Sequence, residues 1–132
     1  MGQSILQGNG CGANKEFLFV GGNPVFAACA YIAYNGKNFN QESNGLYGRE
    51  YAPLEWCKVK GDTNRGEYGQ VITVTITKAC KVSVYSMRPW NNSTGNSKVE
   101  IVENTEVQVG KTYSIRGNDY NQGLGIVVIK ED

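Results

Sequence analysis

The chain has 132 residues, which fits one domain, and a domain of that size buries about two-thirds of its unfolded-chain surface without needing disulfides or a metal to fold. Thirteen basic and twelve acidic residues leave a formal charge of +1, which excludes the basic stripe of a nucleic-acid binder and gives no pull toward anionic lipid. The longest apolar run, around Ala27 to Ala33, is far short of the ~20 residues of a membrane span.

The chain opens with MGQSILQGNGCG, which has neither a basic region nor an apolar stretch and so is not expected to be a secretory signal. Leu6 stands where a myristoylation pattern requires Ser or Thr. Residues 1–16 read as a polar N-terminal arm, and 17–132 as a single domain. Seventeen glycines and many asparagines fall in clusters between short apolar runs, the distribution of many turns joining short strands.

Strand-like segments follow in order. Phe17 to Val20 is short and apolar, and Val25 to Tyr34 is longer, with Asn35-Gly36 supplying a tight turn after it. Leu54 to Val59 sets Trp56 on one face and Cys57 and Val59 on the other, because successive strand side chains point to opposite faces. Residues 70–86, QVITVTITKACKVSVYS, keep apolar residues on even positions across one interruption at Lys78. Two geometries preserve that phase. A three-residue hairpin loop, Thr77-Lys78-Ala79, would pair Ile76 with Cys80, and a corner would carry the chain from one sheet to the other. No glycine occupies the loop, which favours the corner.

Further on, Lys98 to Val102, Glu106 to Val109 and Thr112 to Arg116 alternate, with Glu100, Glu103 and Glu106 solvated around a hairpin. Leu124 to Ile129, LGIVVI, is apolar on both faces, as a central strand is. Eight or so short strands without helical periodicity predict an all-β fold, an antiparallel two-sheet β-sandwich of jelly-roll type.

The chemistry the sequence offers is narrow. There is no histidine, so Ser-His-Asp and Cys-His catalysis are excluded. The four cysteines, at 11, 29, 57 and 80, form no CxxC pair, and neither a zinc site nor any other cofactor is expected. GNGCG has no strand before it and is arm backbone rather than a phosphate cradle. Two loops carry oxygen ligands, GDTNRGEYG with Asp62, Asn64 and Glu67, and RGNDYNQG with Asn118, Asp119 and Asn121. Both fall short of the six to eight oxygens calcium takes. The stretch NDYNQGLGIVVI resembles the calcium loop of small fucose-binding bacterial lectins, whose loops carry several aspartates before the final strand; here Asp119 stands alone, and no lectin residue is carried over.

Aromatic side chains are the stronger signal. Tyr47 and Tyr51 lie in a long polar loop and Trp90 in SMRPWNNSTGNS, where flat rings beside Asn91 and Asn92 make an amphipathic contact surface if they do not cap the core instead. Cys29, Cys57 and Cys80 lie in strand-like segments and are expected to be buried, free or with one pair among them. Cys11 lies in the arm. If a neighbouring subunit holds that arm, Cys11 is placed to form an intersubunit disulfide.

Two functions fit this inventory. One is a non-enzymatic structural or assembly protein, as in accessory, decoration or tail-associated subunits of a virus particle, partnering copies of itself or other structural subunits. The other is a carbohydrate-binding module or lectin at a cell surface or outside the cell. It would stack glycans on Trp90, Tyr47 and Tyr51 and hydrogen-bond them through Asn91, Asn92 and Asp119. An enzyme is not expected.

Overall fold

The computed structural model describes residues 15–22, 30–34, 40–42, 46–63, 70–86, 99–116 and 124–132. These form ten strands: β1 (Phe17–Gly22), β2 (Ala30–Tyr34), β3 (Asn40–Glu42), β4 (Glu50–Tyr51), β5 (Cys57–Gly61), β6 (Val71–Ile76), β7 (Cys80–Ser86), β8 (Val102–Val107), β9 (Thr112–Arg116) and β10 (Leu124–Lys130). All pairings are antiparallel. Six strands make one sheet in the order β3-β2-β1-β10-β7-β8, and four make the other in the order β4-β5-β6-β9.

The fold is therefore the all-β, two-sheet antiparallel arrangement the sequence predicted. The strand count is ten rather than about eight because β3 and β4, of three and two residues, carry no alternation to read. Jelly rolls are eight-stranded, and the six-plus-four arrangement supports the sandwich without that finer likeness.

The alternation over 70–86 resolves as a corner. Strand β6 belongs to the four-stranded sheet and β7 to the six-stranded one, so Thr77-Lys78-Ala79 carries the chain across the sandwich. Ile76 pairs with Cys57 rather than Cys80, and Val82 with Thr105 rather than Val74. The even-numbered phase survives because both sheets point that face at the same core. Ile72, Val74 and Ile76 from one side and Cys80, Val82 and Val84 from the other all belong to one buried cluster. Leu18, Val20, Ile126 and Val128 complete the six-stranded side, Val59, Tyr113 and Ile115 the four-stranded side.

The six-stranded sheet is apolar on its other face too. Phe17, Phe19 and Val127 are 0 % exposed and Ile129 7 %, yet all four alternate with the core-facing residues of β1 and β10. As LGIVVI predicted, β10 is central, between β1 and β7.

Two expectations need correction. The alternating segments 98–102 and 106–109 are not separate strands, because one strand, β8, runs through Val102–Val107 beside β7. Val102 pairs with Val84 and Thr105 with Val82, so two residues, Glu103 and Asn104, stand opposite Ser83 alone. That β-bulge inserts the extra residue which lets Val102 and Val107, an odd number of residues apart, face the same core, and Asn104 takes φ 50° to make it. Glu100, Glu103 and Glu106 are solvent-exposed, flanking and lining this edge strand rather than surrounding a hairpin.

The second correction concerns Trp56. It does not face away from Cys57, because the ladder begins only at Cys57, and Trp56 in the preceding bend turns inward with it, at 2 % exposure.

Tyr113 leaves a polar group unpaired inside the core cluster. It is 2 % exposed, with Lys111 Nζ 5.2 Å from its ring centroid, and its buried hydroxyl has no hydrogen-bond partner among the described residues. A buried unpaired hydroxyl costs free energy that a phenyl ring does not. Tyr113→Phe should therefore leave stability unchanged or raise it by about 1 kcal/mol, read as a higher urea midpoint; a clear loss would show that the hydroxyl has a partner.

Candidate functional site

Strand directions define two poles of the sandwich. The β6–β7 corner marks one. At the opposite pole β1, β3, β5, β7 and β9 end and β2, β6 and β10 begin, with Gly22 opposite both Ala30 and Leu124, Ser86 opposite Ile126, and Arg116 opposite Val71. The strand ends joined by 23–29, 43–49, 62–70, 87–101 and 117–123 therefore all lie at that far pole.

The sequence-derived contact residues distribute unevenly. Tyr47 is half-buried in the turn before β4. Tyr51, in β4, is also half-buried and packs against the core, meeting Tyr34 edge to face at 6.3 Å and 70°. Its ring caps the core. Trp90, Asn91, Asn92, Asp119 and Cys11 lie outside the described residues, as does Cys29. Of the two oxygen-rich loops, Asp62 is described. Its Oδ2 accepts from the Val71 N–H at 3.1 Å, which ties the start of β6.

The corner pole holds the built feature. A cleft of about 530 Å3 is lined by the bend before β5 (Pro53, Leu54, Glu55, Trp56), the corner (Lys78, Ala79, Cys80), Glu16 just before β1, and Lys130 and Asp132 at and after the end of β10. Its walls are fastened to each other. The Thr77 N–H donates to the Trp56 carbonyl and the Thr77 hydroxyl to the Glu55 carbonyl, each at 2.8 Å. Trp56 Nε1 donates to Glu16 Oε1 at 2.7 Å, bridging the two sheets, and the Lys130 N–H donates to the Glu16 carbonyl at 2.8 Å. Ion pairs join Lys78 to Glu55 at 3.2 Å and Lys130 to Asp132 at 3.6 Å.

Comparison with family models, with curated proteins and with solved structures found no match for this chain. Its chemistry has to be read from its own side chains.

Beside the cleft a polar chain joins the segments flanking β1 and β10 to the edge strand. Lys15 Nζ and the Ser83 hydroxyl donate to the two oxygens of Glu131, each at 2.5 Å, and Ser83 Oγ accepts from the N–H of Asn104 at the bulge, at 2.9 Å. Hydrogen bonds from Lys15 and Ser83 hold the Glu131 carboxyl below its ordinary range. Asp132 is lowered as well, chiefly by the Lys81 N–H that donates to it.

Cys57 and Cys80, both core-facing at this pole, are free thiols as expected of buried small hydrophobes. Burial pushes both thiols up, Cys57 to about 12, with the charges of Cys80 and Glu16 adding to it. Neither thiol is poised as a nucleophile, because the thiolate is the reactive form.

Sequence reasoning missed the cleft. Glu16, Glu55, Lys78, Lys130 and Asp132 share no spacing that marks them, and only the fold brings their four chain-distant segments together. The signal that was available is the phase-keeping interruption at Lys78.

Proposed function

We propose that this chain is a non-enzymatic structural or assembly protein acting through protein–protein contacts, of the kind that serves as an accessory, decoration or tail-associated subunit of a virus particle. The observation that carries this reading is the gathering of five pairs of joined strand ends at one pole of a sandwich whose strands are rigidly paired. Connections between strand ends are where such folds present contact residues, and in the sequence the stretches between these strand ends carry Tyr47, Trp90, Asn91, Asn92 and Asp119. The side chains of the corner pole point the same way: the thiols are held neutral and the ion pairs tie backbone segments together.

Size-exclusion chromatography with light scattering tests the proposal. An assembled species that Trp90→Ala or Tyr47→Ala dissociates is expected. A monomer at every concentration, together with saturable glycan binding that Trp90→Ala removes, would replace it with the carbohydrate-binding reading, which the same aromatic residues favour.

A further inference from the structure

The corner-pole cleft has an unbalanced charge. Three carboxylates (Glu16, Glu55, Asp132) and two ammonium groups (Lys78, Lys130) line it. Each lysine is committed: Lys78 to Glu55, and Lys130 to Asp132, whose backbone oxygen it also meets at 2.9 Å. Glu16 is the carboxylate left over. Its Oε1 accepts from the indole N–H of Trp56, and no described cation stands within ion-pair distance of it. A neutral donor such as an indole satisfies one lone pair but leaves the net charge in place.

Glu16 is also held in position. Its backbone carbonyl is bonded to Lys130 in continuation of the β1–β10 ladder, and Trp56, which fixes its side chain, is 2 % exposed and anchored through its own carbonyl to Thr77. A fixed, charged acceptor inside a pre-formed cleft is what a charge-assisted hydrogen bond needs, since little ordering remains to be done on binding.

We propose that this cleft seats a cationic side chain, the ammonium of a lysine or the guanidinium of an arginine, presented by a protein partner. The group enters between the Pro53–Glu55 bend and the Lys78–Ala79 corner and donates to Glu16, with its methylene stem along Leu54 and Ala79. The assignment of the cation to a partner chain rests on the assembly reading; the cation preference of the cleft does not.

The Trp56 indole N–H, bonded directly to the proposed acceptor, is the reporter. Its signal in a 1H–15N correlation spectrum is assigned by comparison with Trp90→Phe and followed during titration with N-acetyl-lysine methylamide. N-acetyl-norleucine methylamide is the uncharged control. A saturable shift with the lysine compound in the millimolar range, absent with norleucine, is expected.

Glu16→Gln keeps an oxygen acceptor for the indole and removes the charge, so the indole signal should persist while binding weakens by about tenfold or more. Lys78→Met, at an exposed position, frees Glu55 and should tighten binding, which gives a second reading if Glu16→Gln does not fold. Equal shifts from both compounds, no shift up to the solubility limit, or undiminished binding by Glu16→Gln overturns the proposal. Lysine-specific binding by a protein that light scattering shows to be monomeric leaves the cleft assignment standing and removes the assembly reading.

Discussion

Gly61→Ala should destabilise the protein by at least about 3 kcal/mol, one of the largest effects of any single methyl group added to this chain. Gly61 ends β5, directly opposite Ile72, and a Cβ there would lie 1.9 Å from the carbonyl oxygen of Leu46, 2.6 Å from its carbonyl carbon and 2.8 Å from its Cβ. The obstacle is mainly backbone, so no rotamer change relieves it. That backbone cannot withdraw cheaply either. The Gly61 N–H donates to the Arg49 carbonyl at 3.1 Å and the Gly48 N–H to the Asp62 carbonyl at 2.9 Å, which ties 46–49 to the end of β5, and Leu46 itself is 1 % exposed within the core cluster. Gly110→Ala is the comparison. Gly110 takes φ 98° with nothing within 4 Å of the place an alanine methyl would occupy, so its cost is conformational alone, about 1–2 kcal/mol. Thermal melts followed by circular dichroism distinguish the two. A melting temperature for Gly61→Ala equal to or above that of Gly110→Ala would show that the 46–49 turn yields.

The close approach at Gly61 illustrates what the sequence could carry and what it could not. Apolar patterning is a local property: continuous period-two alternation carried the strands and the corner at 77–79, and the unbroken apolar run LGIVVI carried the central position of β10. It failed where a tertiary detail interrupts the period. Val102 and Val107 face the same core although they are an odd number of residues apart, because the bulge at Glu103-Asn104 inserts a residue that only the pairing with Ser83 reveals. It failed again at Trp56, which is buried from a bend by its bond to Glu16, forty residues away in the chain. The cleft is illegible for the same reason. Its charged residues come from four segments, and charge complementarity between segments has no period. The aromatic candidates show the opposite limit: an amphipathic ring such as Tyr51 has the same sequence signature whether it caps a core or meets a partner, and packing against Tyr34 decides for the core.

Raising the pH from 9.0 toward 12 should remove up to about 4 kcal/mol of stability through Cys57 alone, and Cys57→Ala should lose most of that slope. In the fold the thiol keeps its proton up to about 12, because a thiolate at this 0 %-exposed position would be stripped of water and would face the charges of Cys80 and Glu16. In the unfolded chain it releases that proton at its ordinary value of 9.0. Between those two values the unfolded state binds fewer protons than the native one, so stability falls as pH rises; below 9.0 both states are protonated and the contribution is complete and constant. Cys80 and Tyr113 are shifted in the same direction, each first by burial, and add to the fall. Changes elsewhere in the chain are common to wild type and variant and cancel in the comparison. Urea midpoints across this range, for the native chain and Cys57→Ala, give the difference directly. The variant should start lower, from the small cavity it leaves, and decline less steeply. Parallel curves would mean that the Cys57 thiolate is tolerated where it stands, and that the corner pole admits water to the thiol.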